Sequence, residues 1–261
     1  MRKIIFFILL LNFAFVQDEQ PYPPLKLISV PTGGTLPKGT FTFETLLMNN
    51  GGVLPSVSLG ITDNLTFGVS FGIQEFIGIG DFKKNKSYPE VQLKYRVYEE
   101  TDFKPSVVIG LDTQGRGDYI EKIGYERYEQ KALGVYFVLS RNYAMMGNLG
   151  FHVGINKNLF ENSDGDEDIN LFLGFDKEIN RSFSFMAEYN FARNDNDSND
   201  EGIIIRKGRG YLNSGLRWSA TNNLMLEINV NDISKNNEYP DNNNNFDSMN
   251  REIKIIYFEK F

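Results

Sequence analysis

The chain has 261 residues, no cysteine and a formal net charge of −7. The lack of cysteine excludes a disulfide framework, a thiolate nucleophile, a cysteine-based metal site and an acylated lipoprotein anchor. The acidic balance leaves no basic patch for nucleic acid, so we expect no nucleic-acid partner. Aromatic residues make up 14% of the chain although its mean hydropathy is −0.33. A membrane-spanning β-barrel accounts for both values, because only alternate residues of its strands face lipid and the mean hydropathy stays low.

The first residues have the layout of a secretory signal peptide. Arg2 and Lys3 precede an almost wholly apolar run over residues 4–16, and polar residues follow it. The run is shorter than the ~20 residues of a spanning helix, and an uncleaved N-terminal anchor is the alternative. The predicted division is a signal peptide at residues 1–16, cleaved near Val16, an irregular proline-rich periplasmic segment at residues 17–37, and one barrel domain at residues 38–261.

Segments of alternating apolar and polar residues then recur along the chain, which is the pattern of strands with one apolar and one polar face. The clearest segment is Tyr88-Pro-Glu-Val-Gln-Leu-Lys-Tyr-Arg-Val-Tyr98. In chain order, the predicted strands lie near residues 40–48, 57–61, 65–73, 88–98, 107–111, 133–139, 149–155, 169–175, 183–191, 212–218, 224–230 and 253–257.

The connections between these segments alternate between short and long. Short turns are predicted at residues 63–64, 99–104, 141–144, 177–181 and 220–223, and the other connections are longer, apart from the first. Short periplasmic turns opposite longer extracellular loops are typical of outer-membrane barrels. The sequence therefore predicts an all-β fold, a transmembrane antiparallel up-and-down β-barrel of about 12 strands in a Gram-negative outer membrane, with both termini periplasmic. A soluble all-β sandwich or barrel would share the alternation, but the aromatic apolar faces disfavour it.

The C-terminus resembles the signal that the barrel assembly machinery reads in outer-membrane proteins. Tyr257 and Phe261 lie in one alternating register at the end of the chain, although Glu259 stands where an apolar residue is commoner. We therefore expect the assembly machinery, outer-membrane lipid and lipopolysaccharide as partners. The oligomeric state is left open.

More of the chain resembles a YjbH-like group of bacterial outer-membrane barrels. The matching stretches are Pro31-Thr-Gly-Gly-Thr-Leu-Pro37, Val91-Gln-Leu-Lys-Tyr-Arg96, Pro105-Ser-Val-Val-Ile-Gly-Leu-Asp112, Asn148-Leu-Gly-Phe-His-Val-Gly154 and Gly208-Arg-Gly-Tyr-Leu-Asn-Ser-Gly-Leu-Arg217. The resemblance implies a barrel with a role around exported polysaccharide. It supplies no catalytic residues.

The polar faces of the predicted strands carry both signs of charge. The residues predicted to line the lumen are Glu90, Lys94, Arg96, Asp112, His152, Glu188, Arg217 and Glu227. Such residues tune selectivity where a channel is open, so the first hypothesis is a narrow, porin-like passive channel for small polar solutes or sugars. Barrels of ~8 strands are filled by side chains, whereas 16–18 strands leave an aqueous channel. The alternative is therefore a filled structural or adaptor barrel that acts through its extracellular loops or a periplasmic partner.

Few residues suggest other chemistry. His152, the only histidine, can serve as a base or as a pH-sensitive pore residue, but a solvated lumen side chain is the simpler interpretation. The Gly-x-Ser-x-Gly spacing of Gly68-Val-Ser-Phe-Gly72 falls within a predicted strand and not at the strand-to-helix turn of a nucleophile elbow. No serine can be paired with His152 from sequence, so we do not expect an enzyme. Asp164, Asp166 and Asp168 form a weak Ca²⁺ candidate in a predicted extracellular loop. No other metal site and no cofactor is expected.

Overall fold

Twelve antiparallel strands form one closed barrel, which confirms the predicted fold class. The computed structural model describes residues 23–78, 81–122, 125–196, 205–238 and 249–261, so the predicted signal peptide and parts of the loops at 193–207 and 234–249 lie outside it. The barrel strands are β1 (Thr40–Leu47), β2 (Val53–Thr62), β3 (Leu65–Ser70), β4 (Glu90–Tyr98), β5 (Ser106–Asp112), β6 (Gly134–Ala144), β7 (Asn148–Lys157), β8 (Asn170–Glu178), β9 (Phe183–Asn190), β10 (Tyr211–Ser219), β11 (Leu224–Asn231) and β12 (Asn250–Lys260). Among the described residues, no helix has the length and apolar character needed to cross a membrane.

The barrel closes between its first and last strands, because β1 pairs with both β2 and β12. The Phe261 N–H donates to the Gly39 carbonyl at 2.9 Å. On the outer face, the ring centroid of Phe41 lies 6.4 Å from that of Phe261 and 6.3 Å from that of Tyr257. The two residues predicted as an assembly signal thus complete the seam. Their recognition by the assembly machinery stays a prediction.

Alternate residues of each strand point into and out of the barrel. In β9, Ser184, Met186 and Glu188 are buried, whereas Phe185 is exposed and Ala187 is partly exposed on the opposite face. The outward faces of the other strands are likewise apolar, with Phe137, Phe151 and Trp218 among the exposed side chains. Contiguous exposed apolar surface of this extent is a liability in water, whereas lipid would cover it.

Both ends of the barrel differ from the sequence-based expectation in detail. At the end that holds the short connections, here called the turn end, the turn predicted at 141–144 is wrong, because β6 continues to Ala144. Met146 and Gly147, with φ of 47° and 96°, make the turn instead. At the opposite end, here called the loop end, residues 116–130 are not an irregular loop. The strands Arg116–Lys122 and Tyr125–Gln130 form an antiparallel hairpin, here called the loop hairpin.

Two further pairs of short strands lie at the loop end. Ile73–Gln74 pairs with Lys83–Lys84, and Ile205–Arg206 pairs with Asn237–Glu238. A 3-10 turn at Asn49–Gly51 joins β1 to β2. The long connections therefore carry regular structure that the period-two pattern of the barrel strands did not predict.

Residues 23–37 lie inside the barrel, whereas the sequence predicted an irregular periplasmic segment over residues 17–37. The Leu27 N–H donates to the Val30 carbonyl at 3.0 Å, so the segment is a tight hairpin with Ile28 and Ser29 at its tip. Leu27 and Val30 pack in one apolar cluster with the inward side chains of β5, β6 and β8, and Leu36 packs in a second with those of β11 and β12. We call this segment the N-terminal hairpin. Burial of these apolar residues favours its position inside the barrel.

Candidate functional site: the barrel interior

The eight side chains predicted to line the lumen divide into two groups. Glu90, Lys94, Asp112, His152, Glu188, Arg217 and Glu227 are buried inside the barrel. Arg96 instead lies at the turn end, where its guanidinium donates to the Asn64 side chain at 3.2 Å and to the Asp63 carbonyl at 3.0 Å. Arg96 thus caps the turn between β2 and β3. A role of the other seven in conduction stays a prediction.

Arg217, Glu227 and Lys254 form an ion network across three strands. Arg217 Nε lies 2.7 Å from Glu227 Oε1, and Lys254 Nζ lies 3.2 Å from Glu227 Oε2. The three residues are directly opposite one another in the register of β10, β11 and β12. Because all three are buried, their charges must be paired to offset the cost of removing them from water.

Glu188 holds the tip of the N-terminal hairpin. Its Oε2 accepts the N–H groups of Ile28 at 3.0 Å and Val30 at 3.1 Å, and its Oε1 accepts the Ser29 N–H at 2.9 Å. The Ser29 hydroxyl and the Asn213 amide also donate to Oε1. Consecutive backbone N–H groups that converge in this way form an anion-binding concavity, and the anion here is a side chain of the barrel wall.

Other predicted lumen residues hold the remaining polar groups of the hairpin. Lys94 Nζ donates to the Leu25 carbonyl at 2.5 Å, and Arg217 Nη2 donates to the Lys26 carbonyl at 3.0 Å. Lys26 Nζ in turn pairs with Asp112 at 2.5 Å. The alternation of the strands predicted that these wall residues face inward, but it did not predict that they bind the N-terminal hairpin. The available signal was the set of apolar residues that is interspersed among the prolines of the segment.

The loop hairpin folds toward the N-terminal hairpin from the opposite end. Arg116 donates to the Ile28 carbonyl at 3.0 Å and pairs with Glu252 on β12 at 3.2 Å. The Tyr128 hydroxyl donates to Glu90 on β4 at 3.1 Å. Burial, together with the charge of Glu90, raises the pKa of Tyr128, so this hydroxyl keeps its proton. The two hairpins therefore meet inside the barrel.

A cavity of about 130 Å³ remains beside the N-terminal hairpin. Its wall includes the charged residues Glu44, Lys94, Glu227 and Lys254 and the polar residues Asn156, Asn170, Asn190 and Tyr211. A space of this size holds on the order of ten water molecules, or a small polar solute in their place. The interior is thus polar and partly hollow, although it is not an open tube.

His152 bridges a serine and an aspartate on the neighbouring strands. Ser140 Oγ lies 2.6 Å from Nδ1, and Asp176 Oδ1 lies 2.8 Å from Nε2. These are the side-chain types of a serine hydrolase, and the sequence had not paired His152 with either. Ser140 is only 2% exposed, and a Cβ placed on Gly33 of the N-terminal hairpin would lie 2.8 Å from its Cβ. The hairpin therefore covers the hydroxyl, and the trio forms a buried polar chain.

A second buried ion network, here called the loop clamp, joins the connections at the loop end. Arg127 Nη1 lies 2.6 Å from Asp164, and its Nη2 lies 2.5 Å from Asp195. Lys131 pairs with Asp164 at 2.7 Å, and Arg206 pairs with Asp195. Burial opposes the charge of Asp164, but its hydrogen bond to Lys131 and the charges of Lys131 and Arg127 outweigh it and lower its pKa.

These contacts alter the interpretation of the Ca²⁺ candidate. Asp164 is neutralised by two cations, Asp166 accepts the N–H groups of Asp168 and Asn196, and Asp168 is exposed. Within the described residues, no three acidic, histidine or cysteine side chains converge as metal ligands. The acidic loop thus serves the loop clamp in this structure.

The comparisons with known proteins identify the fold. No family model and no curated protein matches the chain. Among solved structures, the KdgM porin is similar with a TM-score of 0.51 and 10% identity, over 84% of this chain and 98% of that one. The NanC porin has a TM-score of 0.42 at 10% identity, over 84% and 99% of the two chains. The outer membrane channel DcaP of Acinetobacter baumannii has 0.32 at 8% identity, over 84% and 95%. At such identity the likeness to KdgM shows a shared fold only, and the lower scores add nothing to it.

Proposed function

We propose that the protein is a passive outer-membrane channel for small polar solutes such as sugars. The observation that carries the proposal is the polar interior of a closed barrel, in which charged residues of both signs line a cavity of about 130 Å³. The apolar outer face suits lipid, and the fold is shared with a porin. Polar lumen residues of this kind tune selectivity in barrel channels.

We place the turn end in the periplasm. Both ends of the barrel domain and the short connections lie at the turn end, and in outer-membrane barrels the short connections are periplasmic. Insertion by the barrel assembly machinery and contact with lipopolysaccharide belong to the same proposal. Protease added to intact cells should cut the loop end only, and cleavage at the turn end would contradict this orientation.

The second candidate is a filled barrel that works as an adaptor. The packing of Leu27 and Val30 against Val108, Val138 and Phe172 favours it. Burial of this apolar part of the wall is more favourable than its exposure to water. Such a barrel would act through its loops or a periplasmic partner. We link that role to exported polysaccharide, which is what the resemblance to the YjbH-like group implies.

Single-channel conductance in a planar bilayer separates the two candidates. Discrete steps from the refolded, signal-free protein support the channel, whereas silence from protein that is demonstrably inserted supports the filled barrel. Glu44→Gln, which removes a charge from the cavity wall, should shift the reversal potential toward anion preference. Glu259→Gln makes the same change on an exposed side chain at the turn end and serves as the control. Equal shifts in both variants would contradict the assignment of the cavity to the solute path.

A further inference from the structure

We propose that the N-terminal hairpin is a releasable plug, and that the lumen wall around Glu188 is a peptide-binding site that holds it. The ligand of this site is the tip of a tight turn, recognised through three consecutive backbone N–H groups. The inference rests on the proposed channel function, and names the event that opens the channel. Solute passes when the hairpin leaves.

The polar contacts that hold the hairpin are concentrated at a few wall side chains. Glu188 binds the tip, Lys94 and Arg217 bind carbonyl groups, and Asp112 binds Lys26. Each of these contacts has a charged partner, which makes such hydrogen bonds roughly twice as strong as neutral ones. Water can replace the same contacts when the hairpin leaves, because both partners are polar.

The barrel does not depend on the hairpin for its backbone pairing. Each barrel strand pairs with two barrel neighbours, and the bridge between Lys26 and Pro31 is within the hairpin itself. The hairpin therefore adds no strand to the sheet. Its departure would break side-chain contacts and two small apolar clusters, but would leave the closed ladder intact.

The connection to β1 permits such a movement. The hairpin joins β1 at the turn end through Gly39, whose φ of 73° lies in the left-handed region. The first described residues run beside Gly34, since a Cβ on Gly34 would lie 2.6 Å from the Pro23 carbonyl oxygen. Both arms therefore point to the turn end, and the tip can withdraw in that direction. A few residues at the end of an element are sufficient for a hinge.

A reversible lock tests whether opening requires this movement. A Cβ placed on Gly33 would overlap Ser106 Oγ, and Gly33 has no positive φ. The new Cβ would also lie 2.8 Å from the Ser140 Cβ, so the hairpin must shift slightly to accommodate it. Gly33→Cys with Ser106→Cys then places two thiols at this contact, and the sequence holds no other cysteine. We expect the oxidised protein to be silent or at least tenfold less often open, and reduction in the same bilayer to restore the steps. Discrete steps of equal size and frequency before and after reduction would overturn the proposal.

A labelling experiment tests release without relying on conductance. Ile28→Cys places a thiol at the hairpin tip, where the native side chain is 1% exposed, and a membrane-impermeant maleimide reports its exposure. Glu188→Gln should raise the labelling rate about 10- to 100-fold, since charged hydrogen bonds are lost. Glu178→Gln is the matched control, because Glu178 also accepts a backbone N–H, that of Asn148, but lies at the turn end of β8, far from the hairpin tip.

The two experiments distinguish failure of the plug from failure of the channel. If Glu188→Gln labels at the same rate as the parent, or no faster than Glu178→Gln, the wall site does not hold the plug and the inference is wrong. If Glu188→Gln alone labels faster while every variant, including the reduced cysteine pair, stays silent in the bilayer, the peptide-binding site stands and the channel function fails.

Discussion

Replacing Arg217 by methionine should be among the most destabilising single changes in the barrel. Arg217 is 3% exposed, and its guanidinium contacts Glu227 together with the carbonyl groups of Lys26 and Leu27. Methionine fills similar volume but leaves the carboxylate with one cation and both carbonyls without this donor. The change therefore tests the ion network and the hairpin contact at once.

The structure sets the expected magnitude. Removing one member of a buried ion pair costs about 3–5 kcal/mol, and we take about 3 because Lys254 still lies 3.2 Å from Glu227. Two carbonyls that lose a donor add about 1 kcal/mol each. The total is about 5 kcal/mol for Arg217→Met. Arg217→Lys keeps the charge but not the fork of donors, so we expect a loss of about 1–2 kcal/mol.

Urea unfolding in lipid vesicles, followed by the gel shift between folded and unfolded barrel, measures these differences. Arg181→Met is the control, because Arg181 is exposed at the turn end and should change the free energy of unfolding by less than about 0.5 kcal/mol. A loss below about 1 kcal/mol for Arg217→Met, or equal losses for the lysine and methionine variants, would refute the network as described.

Three further outcomes are expected. The pKa of Asp164 is lowered below its ordinary 3.8, so the stability that Asp164 gives the loop clamp is present above about pH 4 and is lost as the pH falls through the lowered pKa. Pepsin should therefore cut the loops of the parent protein faster as the pH is lowered. The Asp164→Asn variant should lack this pH-dependent increase. Burial raises the pKa of Glu161, so protonation of Glu161 opposes this loss of stability in acid. Because Glu161 is present in both the parent and Asp164→Asn, the difference between their cleavage rates reports on Asp164. His152→Ala should cost about 1–3 kcal/mol in urea, because Ser140 and Asp176 lose their shared partner. Gly110→Ala should cost about 1–3 kcal/mol by the same assay, since its Cβ would overlap the Tyr136 ring.

The sequence predicted the barrel because the physics of its strands is local. Phe185 on β9 points outward and Glu188 points inward by the pleat alone. Alternation therefore gives the faces, and the alternating lengths of the connections give the topology. The turn at Gly147 was misplaced because the backbone pairing of β6 continues to Ala144, beyond Ser140, its last buried residue. Strand existence is thus encoded more firmly than strand ends.

The contents of the lumen could not be predicted in the same way. The contact between Glu188 and Ser29 joins residues 159 positions apart, and no periodic pattern links them. Proline content led to the interpretation of residues 17–37 as a periplasmic segment, although Leu27 and Val30 are fully buried. Likewise, Asp164 looked like a free oxygen ligand because the loop-clamp partner Arg127 lies in another connection.

The same inward charges are suited both to a water-filled pore and to a barrel filled by a peptide. The sequence therefore did not decide between an open channel and a filled barrel. An exposed lumen charge needs only water, whereas a charge beneath a plug must find a partner, and the cost of burial makes the difference. Glu188 is 1% exposed and accepts donors from both the hairpin and Asn213, so its environment is that of a filled site. Glu44 borders the cavity and is only partly buried, so its environment is that of a pore wall. The interior therefore combines both situations, and the proposed channel closed by its own N-terminal hairpin accounts for the environments of both residues.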